Sequence, residues 1–397
     1  MKLLHTSDWH LGQRFHHLTR HREHFDFLEY LVQFIKEHSV DILIIAGDVF
    51  DTANPSREAE KLYYDFLKNI VSLGFCKIII IGGNHDSSSH LNGPKVLLES
   101  LNIHIYGHLS DNLQDMVVDC SLADQRLHIA CIPYLRDTDI RRQDIEDSIA
   151  DVELKIRQGI TKIYSDMSKI MPKDSINIAT GHLFAIGSRL SDSERSIHVG
   201  SLGAVAQDGL QHNFDYIALG HLHKCQSLNK DNTIRYCGSP IPLSFGEAKQ
   251  VKEITLLDIE NDKIEMSTHE LPKFRPIFQI SGDFEQVQKE IHDLASQVFS
   301  NTPWLEIKLT QKSLAKQSYD SLFQVCEEYQ IELVKVILDQ SRDLIDGYLF
   351  SETDISELSP SDIFAQRLEH YDGDSSKQDL NQCFSQLLDS YYESKSS

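Results

Sequence analysis

Eight polar side chains set the chemistry open to this chain. Asp8 and His10 flank Trp9, Asp48 follows Gly47, Asn84 and His85 follow Gly82-Gly83, His182 follows Gly181, and His221 and His223 follow Gly220. Carboxylate, imidazole and amide donors all suit metal cations, and an imidazole can also carry a proton. Each one alone has an ordinary structural reading, since a single His at a strand end is usually structural or exposed. Together they are too many donors for one ion. Seven of the eight can surround two cations if one carboxylate bridges them. Asp48, between the Asp8 pair and Asn84 in the chain, is the natural bridge. The mixed donor set suits Mn²⁺, Fe or Zn²⁺ better than Mg²⁺, which prefers oxygen. The lack of Cys among the donors argues against a structural zinc site. Two cations about 3.5–4 Å apart suit in-line displacement at phosphorus, where they make hydroxide from water and offset developing charge. A Gly-x-x-x-x-Gly-Lys-Ser/Thr loop and a Gly-x-Ser-x-Gly elbow are both missing from the sequence, so neither nucleotide-driven nor serine-hydrolase chemistry is encoded in it.

Buried runs must hold these groups. Residues 3–7, 41–46, 77–81, 127–132, 176–180, 216–219, 234–237 and 253–259 read as strands, most of them apolar and β-branched. Between them, residues 20–38 carry Leu28, Leu31, Val32 and Ile35 at helical spacing. A second helix carries Leu62, Phe66, Ile70 and Leu73, with Gly74 as its stop. A short helix is expected over 91–100. Residues 139–170 read as a long exposed helix whose charges mark a solvated face, with Gly159 as a candidate break. Strand alternation points Asp8 and His10 to one side, and likewise His221 and His223. The βαβαβ order predicts a largely parallel sheet, whose carboxyl edge collects the donors.

The chain has 397 residues, 41% of them hydrophobic and 25% charged. That suffices for one large core and a smaller domain or two. No run approaches 18 apolar residues, so a spanning helix is excluded. The first motif begins at once, and no signal peptide is expected. Seven cysteines are scattered with no Cys-x-x-Cys, which fits a reduced, cytoplasmic setting. The net charge of −22 by itself argues against nucleic acid. Bound divalent cations and a basic partner surface can offset it. Around residues 271–276 two prolines and two basic residues suggest a linker. The expected division is a catalytic domain over 1–272, a small α+β domain over 273–339 without a metal-type cluster, and an acidic linker and tail over 340–397. In the tail, Leu380, Phe384, Leu387, Leu388 and Tyr391 form an apolar stripe. It suits either a helix docked on its own protein or one offered to a partner.

The ordered motifs Asp8-Trp9-His10, Gly47-Asp48-Val49-Phe50-Asp51, Gly82-Gly83-Asn84-His85-Asp86, Gly181-His182 and Gly220-His221-Leu222-His223 resemble those of the calcineurin-like metallophosphoesterases. The opening Leu4-His5-Thr6-Ser7-Asp8-Trp9-His10-Leu11-Gly12, with Ile132-Pro133-Tyr134-Leu135 and Tyr236-Cys237-Gly238-Ser239-Pro240, is similar to the SbcD family of bacterial nuclease subunits. The resemblance implies an α/β class fold, a layered metallophosphoesterase sandwich core with a small C-terminal α+β capping domain and a helical tail. It implies that Asp8, His10, Asp48 and His223 hold one Mn²⁺, and Asp48, Asn84, His182 and His221 the other. His85 is implied as the catalytic group that stabilises the phosphate and protonates the leaving oxygen, with Asp86 orienting it. Archaeal and eukaryotic relatives carry a His where Asp51 stands, so Asp51 is left out of the catalytic set. The implied activity is 3′-5′ double-strand exonuclease and single-strand or hairpin endonuclease action on DNA, in repair, replication and recombination. An SbcC-type ATPase would be the partner in a heterotetramer, and the nuclease subunit would form a homodimer through helices near 58–73 and 91–100. The metal motifs alone also admit a phosphatase acting on a small or protein phosphate. A non-enzymatic binding scaffold is disfavoured by the presence of all eight groups.

Overall fold

Apolar strands ordered by helices build four layers. The computed structural model describes residues 1–140, 149–188, 205–299, 301–310, 316–338 and 384. Apart from a two-stranded ribbon of Arg14–Phe15 and Leu18–Thr19, the strands up to the linker are β1 (Lys2–Thr6), β2 (Ile42–Ala46), β3 (Lys77–Ile81), β4 (Ile103–Tyr106), β5 (Val117–Asp119), β6 (Leu127–Ala130), β7 (Ile176–His182), β8 (Tyr216–Gly220), β9 (Gln226–Ser227), β10 (Ile234–Tyr236), β11 (Glu253–Glu260) and β12 (Lys263–Glu270). They form two six-stranded sheets, not one. The first runs β12-β11-β1-β2-β3-β4 and the second β9-β10-β8-β7-β6-β5. Each has four parallel strands in its run, β1 to β4 in the first and β10, β8, β7 and β6 in the second. Antiparallel strands flank them. The sequence could not show this division, because strands buried on both faces read alike whichever sheet they join.

Period-two alternation divides each strand of the first sheet between two cores. Ile42, Ile44, Ile79 and Ile81 pack with Ile129, Ile178, Ile217 and Leu219 of the second sheet. Leu43, Ile45, Ile78 and Ile80 pack instead under the helices α1 (His21–His38) and α2 (Arg57–Leu73), against Phe27, Leu31, Phe66 and Ile70. Ser56 caps α2 by accepting from the Ala59 N–H, and Gly74 ends it at φ +80° as expected. The helix expected over 91–100 is two, α3 (Ser88–Asn92) and α4 (Lys95–Glu99), parted by Gly93-Pro94. Pro94 lacks the N–H that a continuous helix would use there.

The helix expected to be exposed over 139–170 is corrected twice. α5 (Ile149–Ile170) runs through Gly159 without a break. Its Ile156, Ile160, Tyr164 and Met167 are buried in the core. A Cβ at Gly159 would overlap Ile140 Cγ2, so that glycine serves close packing. The charges mark one solvated face of a helix whose other face is apolar.

After the linker, β13 (Ile277–Gly282), β14 (Trp304–Leu309) and β15 (Glu332–Leu338) make a parallel three-stranded sheet. Helices α6 (Phe284–Ala295) and α7 (Lys316–Glu328) complete it. Asp283 opens α6 with a full capping box to Gln286. This sheet has its own apolar cluster around Val287, Ile291, Leu305 and Ile307. Phe15, Phe245, Ile277 and Trp304 form a separate cluster joining it to the preceding core. The tail stripe expected at 380–391 lies outside the described residues, apart from Phe384.

Candidate metal centre

The donors gather where strands of both sheets end. β1 stops at Thr6 and β8 at Gly220, so Asp8, His10, His221 and His223 lie beyond the strands, where alternation no longer applies. Their convergence has another cause. Asp8, His10, Asp48 and His221 all have positive φ, at 52°, 46°, 49° and 98°. Non-glycine residues rarely accept this region, and such strain clusters at functional sites. Backbone bonds continue the β1–β2 pairing through the turn, with Asp8 N–H to Gly47 O at 3.0 Å and His10 N–H to Asp48 O at 3.0 Å. Between Asp8 and His10, Trp9 is buried edge-on against Phe27 and Phe66, so its flanking side chains are left to the site.

Asp48 stands at the centre. Its Oδ2 is 3.2 Å from His182 Nε2 and 3.5 Å from His10 Nε2, and its Oδ1 accepts the His85 N–H at 2.9 Å. Asn84 Oδ1 lies 3.0 Å from His182 Nε2 and 2.9 Å from His221 Nδ1. Donor atoms of Asp8, His10 and His223 approach within 4.8 Å of one another, as do those of Asp8, Asp48 and His182, and those of His10, Asp51 and His85. Glycines make room: a Cβ at Gly83 would overlap Asp48 Oδ1, and one at Gly47 would overlap His182 Nδ1.

The donor set suits divalent cations. Asp8 Oδ2 and both ring nitrogens of His10 are buried without a hydrogen-bond partner, which is costly for a protein that leaves nothing there. Burial alone would lower the pKa of His10, but Asp51, Asp48 and Asp8 outweigh it and lift it to about 9. Burial likewise opposes protonation of His182, and Asp48 chiefly overcomes it, again to about 9. Asp48 is pushed up by burial yet held well below the usual carboxylate range by His182 and His10. The carboxylates thus draw protons onto buried imidazoles, which is a demand for positive charge that cations meet.

Asp86 is placed differently from expectation. His85 Nδ1 is 2.8 Å from the Asp51 backbone oxygen. A carbonyl only accepts, so this nitrogen carries the proton. The Asp86 carboxylate instead accepts the N–H groups of Gly83, Phe50 and Val49 at 2.9, 3.0 and 3.2 Å. It braces the turns at Asp48 and Asn84, and it is the Asp51 carbonyl that meets the His85 ring. Burial, then the Asp48 charge, raises Asp86 to about 6. The Asp51 carboxylate is itself 3.3 Å from His10 Nδ1, off the line of a hydrogen bond. Sequence reasoning set Asp51 aside and missed Glu247, whose Oε1 is 3.7 Å from His223 Nδ1. An isolated Glu in a loop gives no sequence signal of burial.

His10, Asp51, His85 and His223 open onto a cavity of about 550 Å³, walled on its far side by Gln279, Glu306, Lys308 and Lys335 of the small sheet. Among the described residues no helix is long and apolar enough to cross a membrane.

The calcineurin-like phosphoesterase family model matches residues 1–225. A second model, described as the Type 5 capsule protein repressor C-terminal domain, matches residues 273–371. Over 394 residues the chain is 32% identical to the D subunit of nuclease SbcCD from Escherichia coli (strain K12), covering 95% of each. It is 33% identical over 266 residues to the SbcCD nuclease D subunit of Bacillus subtilis (strain 168), covering 65% of this chain and 66% of that one. The counterpart from Staphylococcus epidermidis is 29% identical over 347 residues, covering 86% and 87%.

Proposed function

The chain belongs to the calcineurin-like phosphoesterase family, among the D subunits of SbcCD nucleases, and on that premise we propose that it is a two-metal, Mn²⁺-dependent DNA phosphodiesterase working with an SbcC-type ATPase. The observation that carries this is the pair of adjoining donor groups, Asp8 with His10 and His223 and Asp8 with Asp48 and His182, with orphaned donors on Asp8 and His10. Asp8, His10, Asp48 and His223 would hold one cation; Asp48, Asn84, His182 and His221 would hold the other. Asp8 stands in a donor group with Asp48 and His182 as well, so it borders both. Bound there, the cations supply positive charge for the non-bridging phosphate oxygens and lower the pKa of an attacking water.

His85 handles the leaving group. Its Nδ1 proton is committed to the Asp51 carbonyl, so Nε2 is the nitrogen available to a phosphate in the cavity that His85 lines. From there it stabilises the phosphate and protonates the departing oxygen. The small sheet acts as a capping domain, with Lys308 and Lys335 offering positive charge to a strand entering the cavity. The activities are 3′-5′ exonuclease action on double-stranded ends and endonuclease action on hairpins and single strands, in repair, recombination and replication. The tail after residue 339 grips the ATPase, which hydrolyses ATP and supplies basic surface that offsets the chain's net charge of −22. The homodimer forms through α2 and α4, where Tyr64, Val96 and Leu97 expose apolar side chains. The complex is cytoplasmic, in keeping with six free cysteines among the described residues.

The test is cleavage of a labelled double-stranded end and a hairpin, with Mn²⁺ or Mg²⁺, with and without the partner and ATP. Mn²⁺-dependent cutting enhanced by the partner supports the reading. Intact DNA alongside rapid hydrolysis of small phosphomonoesters overturns it in favour of a phosphatase.

A further inference from the structure

Glu247 ends the short turn Phe245–Glu247 and is fully buried. A buried carboxylate is costly unless donors and cations surround it. Here Oε2 accepts from Lys252 Nζ at 2.7 Å and from the Leu243 N–H at 3.1 Å. Oε1 faces His223 Nδ1 at 3.7 Å. Lys252, also buried, donates to the His223 backbone oxygen and to Ser239 Oγ, both at 2.9 Å. The pair therefore holds His223 twice, by its main chain through Lys252 and by its ring through Glu247. At the other end of the turn Phe245 packs edge-on against Phe15 at 4.7 Å, which fixes where the carboxylate stands.

We propose that Glu247 is a positioning residue for His223. It faces the Nδ1–H, sets the ring's orientation and leaves Nε2 for the cation shared with Asp8 and His10. Stability alone is a poor reason for the Glu247–Lys252 pair, since buried ion pairs are often replaceable by apolar residues without loss. Its alignment on a metal-type histidine is a better one. Metal-bound histidines whose second nitrogen meets a carboxylate bind more tightly, and removing that carboxylate costs about 10–100-fold in metal affinity.

This inference rests on the two-cation reading above, and the test separates the two. The full chain, Glu247→Gln and Glu247→Asp are stripped with chelator and titrated with Mn²⁺ by calorimetry, with bound metal counted by elemental analysis. The unaltered chain is expected to take two equivalents. Glu247→Gln is expected to keep one at the original affinity and to bind the other about 10–100-fold more weakly. Glu247→Asp, which retains the charge, falls between and serves if the Gln variant does not fold. Thermal melting of the stripped proteins is followed in parallel. A lower melting temperature with both equivalents bound as in the unaltered chain makes Glu247 merely structural and overturns the inference. An unaltered chain that binds fewer than two equivalents overturns the two-cation reading, and this inference with it.

Discussion

The two lobes of the proposed metal centre are held by different means. In one, His182 Nδ1 donates to the Ala46 backbone oxygen at 2.9 Å, and Asn84 Oδ1 lies between His182 and His221. The support there is main chain at the ends of central strands. In the other, Asp51 stands 3.3 Å from His10 and Glu247 stands 3.7 Å from His223. The support there is negative charge from loops beside the cavity. A carbonyl fixes a ring's orientation with little charge. A carboxylate beside a ring makes the imidazole a stronger donor. The first lobe is therefore set by the sheets, and the second can be tuned by single substitutions.

The largest effect is expected where the lobes meet. Asp48→Ala should lose both cations and lower cleavage by about 10³-fold or more, since each metal supplies several kcal/mol of transition-state stabilisation. Elemental analysis with initial rates checks it, and two equivalents retained would break the picture of a shared carboxylate. Next, His85→Ala should keep both cations while cleavage falls about 10²–10⁴-fold. Loss of metal in that variant would make His85 a ligand. Asp51→Ala should weaken one equivalent by about 10–100-fold and spare the other, as titration with Mn²⁺ would show. The backbone carbonyl that orients His85 survives this change, so at saturating metal most activity should return.

The smallest effect is on the metal-free protein. His10 and His182 are lifted from 6.5 to about 9. Groups raised on folding stabilise fully below their unfolded pKa and lose that contribution as pH rises through the folded one. The melting temperature of chelator-stripped protein should therefore fall as pH rises from 6.5 through about 9, and cation loading should flatten the trend. A metal-free melting temperature that climbs over this range would contradict the protonation of these rings.

How much of this is legible in the sequence depends on whether the cause is local. Lys77–Ile81 reads to the residue as a strand, because a β-branched apolar run between turn signals carries its own evidence. The eight donors are visible because each lies at or just beyond a strand's end. That Ile44 and Ile178 belong to different sheets is not visible, nor that Gly159 makes room for Ile140 rather than breaking a helix. That the Asp51 carbonyl rather than the Asp86 carboxylate meets the His85 ring is not visible, because hydrogen-bond partners are a matter of three-dimensional placement. Glu247 is hidden for the same reason: its neighbours Gly246 and Ala248 carry no pattern that marks it as buried beside His223.

The left-handed backbone at Asp8, His10, Asp48 and His221 bears on how such a centre could be moved or found. Copying the eight side chains onto another α/β scaffold, register for register, would aim them wrongly, because ordinary strand exits do not adopt this conformation. A transplant has to carry the exit loops with their glycines. Conversely, a search of anonymous backbones for strand exits with clustered non-glycine residues at positive φ would reach this centre before any side chain was consulted.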